Sequence, residues 1–106
     1  MSKQPPADRL EPLLLDPTRL RLVAVLAPVG EVDFSFVRDQ VGLTDSALSK
    51  QLRTLADAGL AGTQRTRRGA RRRSWVHLTA HGRSILAQHT RALQDIANAA
   101  DPSDSS

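Results

Sequence analysis

One short turn, at residues 41–44, restricts what this chain can fold into more than any other feature. Gly42 has no Cβ, so it can take the left-handed backbone conformation that ends a helix. Thr44 follows two residues later and can cap the start of the next helix. Apolar residues recur at helical spacing on both sides of this turn. The sequence therefore predicts two helices joined by a tight turn, which is a helix-turn-helix.

Local signals predict two further helices. Asp16 followed by Pro17 is a strong helix start, because Asp accepts from unpaired amides and Pro suits the first helical position. Pro28 and Gly30 end that helix, and Asp33 can cap the one that leads into the turn. The last predicted helix spans residue 80 to about residue 100.

Between the third and last helices the pattern becomes extended. Residues 60–67 and 72–79 are rich in strand-forming side chains and flank the sequence Arg-Gly-Ala-Arg at 68–71. This arrangement predicts a β-hairpin with a longer loop. With a short bridge at 31–33, the order is α-β-α-α-β-β-α. The predicted fold is thus mainly α with a small β-hairpin, a winged helix-turn-helix in which the hairpin is the wing.

Composition limits the organisation to one domain. The chain has 106 residues, 40% of them hydrophobic, and no Cys, which excludes disulfides and thiolate metal sites. We expect a domain at 10–100, with a dimerisation helix at its end and disordered tails at 1–9 and 101–106. There is no apolar signal segment or membrane-length run, so we expect a soluble cytoplasmic protein.

The charge distribution indicates a polyanionic partner. Lys and Arg number 15, and residues 9–100 hold 14 of them against 8 acidic residues, a net charge of +6. Six Arg residues lie between positions 65 and 73 with no acid among them. Such a cluster favours nucleic acid, although a solvated charge run is the plainer interpretation. The sequence contains no phosphate loop or nucleophile motif, so we predict that it is not an enzyme.

The third helix, at 44–58, presents a polar face. Its apolar stripe is Leu48, Leu52 and Leu55, so small polar and basic residues lie opposite. We expect this face to enter the major groove of DNA, while the wing contacts phosphates or the minor groove. The predicted DNA contacts are Thr44, Asp45, Ser46, Ser49, Lys50, Arg53, Arg65, Arg67, Arg68, Arg71, Arg72 and Arg73. An ordinary amphipathic surface helix is the alternative.

The last helix carries apolar residues at heptad-like spacing, which predicts pairing with a second copy. The predicted interface is Leu13, Leu14, Leu86, His89, Leu93, Ile96, Ala97 and Ala100. Alternatively, the stripe covers the protomer's own core. His89 in such an interface would make dimerisation sensitive to acid. The three His residues lack the companions of a metal site, so no metal or cofactor is predicted.

Five segments, at 16–22, 32–34, 43–52, 55–60 and 75–83, resemble small winged-helix bacterial transcription regulators near the MarR and ArsR families. The resemblance implies a homodimer that binds an inverted repeat and blocks transcription. It also implies that Ser46, Ser49, Lys50 and Arg53 occupy recognition-helix positions. The Cys pair of the metal-sensing branch is missing here. The resulting hypothesis is a sequence-specific DNA-binding repressor, and the alternatives are a nonspecific nucleic-acid binder or a protein-interaction winged helix.

Overall fold

The computed structural model describes residues 5–68 and 71–100, without the side chains at 67, 68 and 71. Two 3-10 turns, at Pro6–Arg9 and Pro12–Leu15, come first. The helices and strands that follow are α1 (Pro17–Leu26), β1 (Val32–Asp33), α2 (Phe34–Val41), α3 (Asp45–Asp57), β2 (Ala61–Arg68), β3 (Arg71–Leu78) and α4 (Ala80–Ala100). The predicted fold class is confirmed.

The helices begin and end at the residues that the sequence indicates. Carboxylate oxygens of Asp16 and Asp33 accept hydrogen bonds from the amides of Arg19 and Ser35, at 3.0 and 2.8 Å. The Thr44 hydroxyl accepts from the Ala47 amide at 3.1 Å and so caps α3. Gly42 has φ of 67°, in the left-handed region that ends α2. The tight turn between α2 and α3 is therefore encoded locally.

The wing belongs to a three-stranded antiparallel sheet of order β1-β3-β2. Val32 of β1 pairs with Val76 of β3, which ties the wing to the start of α2. The β2–β3 pairing continues as far as Arg68 opposite Arg71. The predicted longer loop at 68–71 is therefore wrong, because ladder hydrogen bonds extend each strand by one residue. Positions 69 and 70 lie outside the described residues.

The core lies where α1, α2 and α3 pack against the base of the sheet. Leu22, Leu26, Val37, Leu48 and Val76 are fully buried in it. Burying side chains of this size supplies the main stabilisation of a domain this small. The apolar stripe of α3 faces inward, and its opposite face is left to solvent.

The N-terminal segment differs from the prediction of a tail ending at residue 9. Residues 6–15, here termed the N-terminal clasp, pack against two helices: the turn at 6–9 lies against α4 and the turn at 12–15 lies against α1. The Arg9 guanidinium donates to the Asp95 carboxylate at 2.6 Å, and the Glu11 amide donates to His89 Nδ1 at 2.9 Å. The clasp is held by residues 86 and 78 positions away, so local composition does not reveal it. The predicted tails at 1–4 and 101–106 lie outside the described residues.

Candidate nucleic-acid interface

The outer face of α3 is polar along its whole length. Ser46, Ser49, Lys50 and Arg53 are all exposed, on the side opposite the buried leucines. Thr44 and Asp45 are exposed at the start of the helix. A helix with one face anchored in the core and the other bare can enter a groove without losing its support.

The wing and α3 together form one concave surface. A groove of about 270 Å³ separates α3 from β2, and Ser49, Arg53 and Arg65 all line it. Two predicted contacts on the helix and one on the wing are thus brought together. Their combination of hydroxyl and guanidinium groups suits phosphate oxygens and base edges.

A second groove, of about 590 Å³, lies beside the start of α2. It is lined by Asp33, Phe34, Ser35, Phe36, Arg72, Arg73 and Ser74. Phe36 is 53% exposed there and was not predicted from sequence. The sequence could have indicated this exposure, because Phe36 falls outside the apolar stripe of α2. The predicted contacts Arg67, Arg68 and Arg71 have side chains outside the described part of the chain.

Trp75 connects the two long strands of the wing. Its indole Nε1 donates to the Thr66 hydroxyl at 2.9 Å, and its ring is half-buried. A packed indole with its N–H satisfied stiffens the hairpin. The two strands are therefore joined by a side-chain hydrogen bond just before the arginine-rich end of the wing.

Asp45 makes an ion pair that sequence reasoning missed. The guanidinium of Arg38, on α2, donates to Asp45 at 2.7 Å and to Asp39 at 3.0 Å. These hydrogen bonds, with Asp45 contributing most, raise the pKa of Arg38 above its ordinary value. Asp45 was predicted only as a DNA contact, because no local pattern marks a partner seven residues earlier.

Two residues predicted in the dimer interface lie inside the protomer instead. Leu14 is 1% exposed and His89 is fully buried, because the N-terminal clasp and α4 cover each other. Leu13 and Leu86 are half-buried against the same core. The stripe therefore covers the protomer's own core over this stretch. The remaining predicted interface residues, all exposed, are Leu93, Ile96, Ala97 and Ala100.

His89 is held as a neutral acceptor. Its burial lowers its pKa below the ordinary value, and the Glu11 carboxylate and the Leu14 backbone partly oppose this. Protonation at Nδ1 would replace the acceptor of the Glu11 amide with a donor.

Within 5–68 and 71–100, no group of three His, Asp or Glu residues is arranged to hold a metal. No helix in the same residues is long and apolar enough to cross a bilayer.

The fold and this surface define a winged helix-turn-helix protein. Residues 18–97 match the family model described as winged helix DNA-binding domain, and the chain belongs to that family. This match agrees with the resemblance of the sequence to winged-helix transcription regulators. No curated protein sequence gives a significant match.

Solved structures with the same fold include transcriptional regulators. The transcriptional regulator homologue from Pyrococcus horikoshii OT3 is 26% identical, with a TM-score of 0.78 over 84% of this chain and 88% of that one. A MarR family regulator from Silicibacter pomeroyi DSS is also 26% identical, with a TM-score of 0.64 over 84% of this chain and 61% of that one. S. aureus MepR, solved as a DNA complex, shares the fold at 18% identity, with a TM-score of 0.71 over 89% of this chain and 77% of that one.

Proposed function

We propose that this protein is a homodimeric repressor that binds a specific inverted repeat in double-stranded DNA. In this proposal α3 enters the major groove and the wing lies on the backbone or in the minor groove. One observation carries the proposal: the exposed hydroxyl and basic groups of α3 share a groove with Arg65 of the wing. The fold is also that of MepR, a protein whose structure contains DNA.

The residues suit different parts of a duplex. Ser46 and Ser49 are short, so they allow the helix to approach base edges and can donate or accept there. Lys50 reaches a guanine edge or a phosphate. Arg53 and Arg65, further along the groove, suit phosphates because a guanidinium matches their geometry. Base contacts then supply specificity, and phosphate contacts supply most of the affinity.

The dimer in this proposal forms at the far end of α4. Leu93 and Ile96 are each 37% exposed there, and Ala97 and Ala100 are small enough for close helix approach. A two-fold dimer would present two copies of α3 to two half-sites, as an inverted repeat requires. Leu93→Asp with Ile96→Asp should therefore yield a monomer, measured by sedimentation.

Selection from random DNA, followed by fluorescence anisotropy, tests the proposal. The enriched duplex and a shuffled duplex of the same length are compared at about 150 mM salt, since affinity depends strongly on salt. We expect a preference of about 10³-fold or more, with two protomers per duplex. If each protomer neutralises about four phosphates, the logarithmic salt slope should be near −7.

Other results would assign a different function. Equal, salt-sensitive affinity for both duplexes would indicate a nonspecific nucleic-acid binder. Failure to bind either duplex would favour a protein-interaction module with an acidic partner. A preference that persists with one protomer per duplex would contradict the dimer.

A further inference from the structure

The first turn of α3 holds an acidic residue where the proposed function requires attraction to phosphate. Asp45 is exposed and occupies the first position of the helix. An acid there stabilises the helix, because the N-terminus carries a partial positive charge. Towards DNA, however, the same carboxylate would cancel the attraction of that N-terminus for a phosphate.

Arg38 offsets this carboxylate from the neighbouring helix. Its Nη1 donates to Asp45 Oδ1 at 2.7 Å, while its Nε donates to Asp39 Oδ1 at 3.0 Å. The guanidinium therefore spans the turn between α2 and α3. It also engages Oδ1 of Asp45, one of the two carboxylate oxygens that could accept from a cytosine amino group.

The pair is well placed to act on binding rather than on folding. Both side chains retain solvent contact, with 31% of Arg38 and 71% of Asp45 exposed. Exposed ion pairs contribute little to stability, because water and side-chain entropy offset the attraction. The turn itself is fixed by Gly42, whose amide donates to the Arg38 backbone carbonyl, and by the Thr44 cap, so the Arg38 side chain is not needed to form it.

We propose that Arg38 is a positioning residue for DNA binding: it holds the Asp45 carboxylate towards α2 and neutralises it, which leaves the start of α3 attractive to the duplex. This inference rests on the proposed function. It adds Arg38, a residue on α2, to the interface. Arg38 acts through Asp45 and makes no base contact in this proposal.

Four variants test this inference on the enriched and shuffled duplexes described above. Arg38→Ala should weaken binding to both by a similar factor, about three- to tenfold at low salt, since an unpaired carboxylate repels phosphates. This loss should shrink as salt rises and screens the charge. Asp45→Asn should strengthen binding to both, and Arg38→Ala with Asp45→Asn should return affinity close to that of the wild type.

The matched control is Arg38→Ala with Asp39→Asn. Asp39 is the other partner of the same guanidinium but lies on α2. If Asp45 is the residue through which Arg38 acts, removing the Asp39 charge should not restore binding to the same degree. Thermal unfolding of each variant should stay close to that of the wild type, which separates a binding effect from a folding defect.

Three results would overturn the inference while leaving the proposed function intact. If Asp45→Asn selectively lost affinity for the enriched duplex, Asp45 would be reading a base. If the Arg38–Asp45 double variant stayed as weak as Arg38→Ala, Arg38 would contact DNA itself. If Arg38→Ala bound normally, the ion pair would have no part in binding. A wild type that enriched no duplex would instead overturn the proposed function and this inference with it.

Discussion

Helices α3 and α4 are both amphipathic, but they are held in place in different ways. Helix α3 is defined by its own neighbourhood: a cap at Thr44, a preceding turn at Gly42, and leucines that meet the adjacent helices and sheet. Helix α4 is covered in part by the N-terminal clasp, a segment distant in sequence, whose turn at 6–9 packs against α4 and whose Glu11 amide donates to His89. The free face of α3 could therefore be predicted, whereas the partner of α4 could not.

The difference shows what an apolar stripe does and does not specify. A stripe requires that the helix face be covered, but it does not say by what. For α4 the sequence allowed a second copy or the protomer's own core, and the structure contains the second of these around Leu14 and His89. The apolar residues of this stripe that stay exposed, and so could meet a partner, lie towards the end of the helix around Ile96.

The largest expected effect is a difference in the free energy of unfolding between variants at two neighbouring leucines of the clasp. Leu14 is 1% exposed and Leu15 is 57% exposed. Leu14→Ala should lower the free energy of unfolding by about 2–5 kcal/mol, because it leaves a cavity in the core. Leu15→Ala should change it by less than about 0.5 kcal/mol. Urea unfolding at one fixed protein concentration measures both, and equal effects would mean that the clasp is not part of the core.

The next effect concerns the start of α4, which packs against the Leu60 backbone between α3 and β2. A Cβ on Gly82 would overlap the Leu60 carbonyl and lie 2.9 Å from Leu78 Cδ1. Gly82→Ala should cost about 1–3 kcal/mol through overpacking. Gly30→Ala is the control, since nothing lies within 4 Å of its added Cβ. Unfolding curves that gave both variants the same stability would show that α4 does not pack this closely.

A smaller effect comes from the buried imidazole of the clasp. Burial lowers the pKa of His89, so the unfolded chain takes up the proton first as pH falls below about 6.5. The stability present above that pH should therefore decline on acidification. His89→Asn keeps an acceptor for the Glu11 amide and cannot titrate, so it should flatten the decline.

Unfolding between pH 8 and pH 5 measures this slope. The control is His81→Asn, because His81 is exposed on the same helix. It should retain the wild-type slope. An unchanged slope in His89→Asn would show that other groups cause the acid sensitivity.

The smallest effect belongs to the ion pair at the edge of the clasp. Arg9 and Asp95 lie 2.6 Å apart, with 24% and 43% of their side chains exposed. A double-mutant cycle with Arg9→Ala and Asp95→Ala should give a coupling of about 0.2–1 kcal/mol. A coupling above about 2 kcal/mol would mean that this pair, rather than Leu14, is the main anchor.

Elements with local signals were predicted correctly from the sequence. Asp16, Asp33, Thr44 and Gly42 mark helix ends through contacts within a few residues. What could not be predicted depends on pairs that no local pattern marks, such as the Glu11 amide with His89, 78 positions apart, or Arg38 with Asp45 across the turn between α2 and α3. No spacing rule links those residues, because their approach follows from the packing of whole helices.

In the proposed function, the outer face of α3 binds the duplex. The most direct test compares Lys50→Ala with Arg91→Ala by anisotropy on the enriched duplex at about 150 mM salt. Each variant removes one exposed positive charge, from α3 and from α4 respectively. We expect a loss of about 1–3 kcal/mol of binding free energy per protomer for Lys50→Ala and wild-type affinity for Arg91→Ala. Equal losses in the two variants would contradict the proposal, since binding would then follow net charge rather than this helix face.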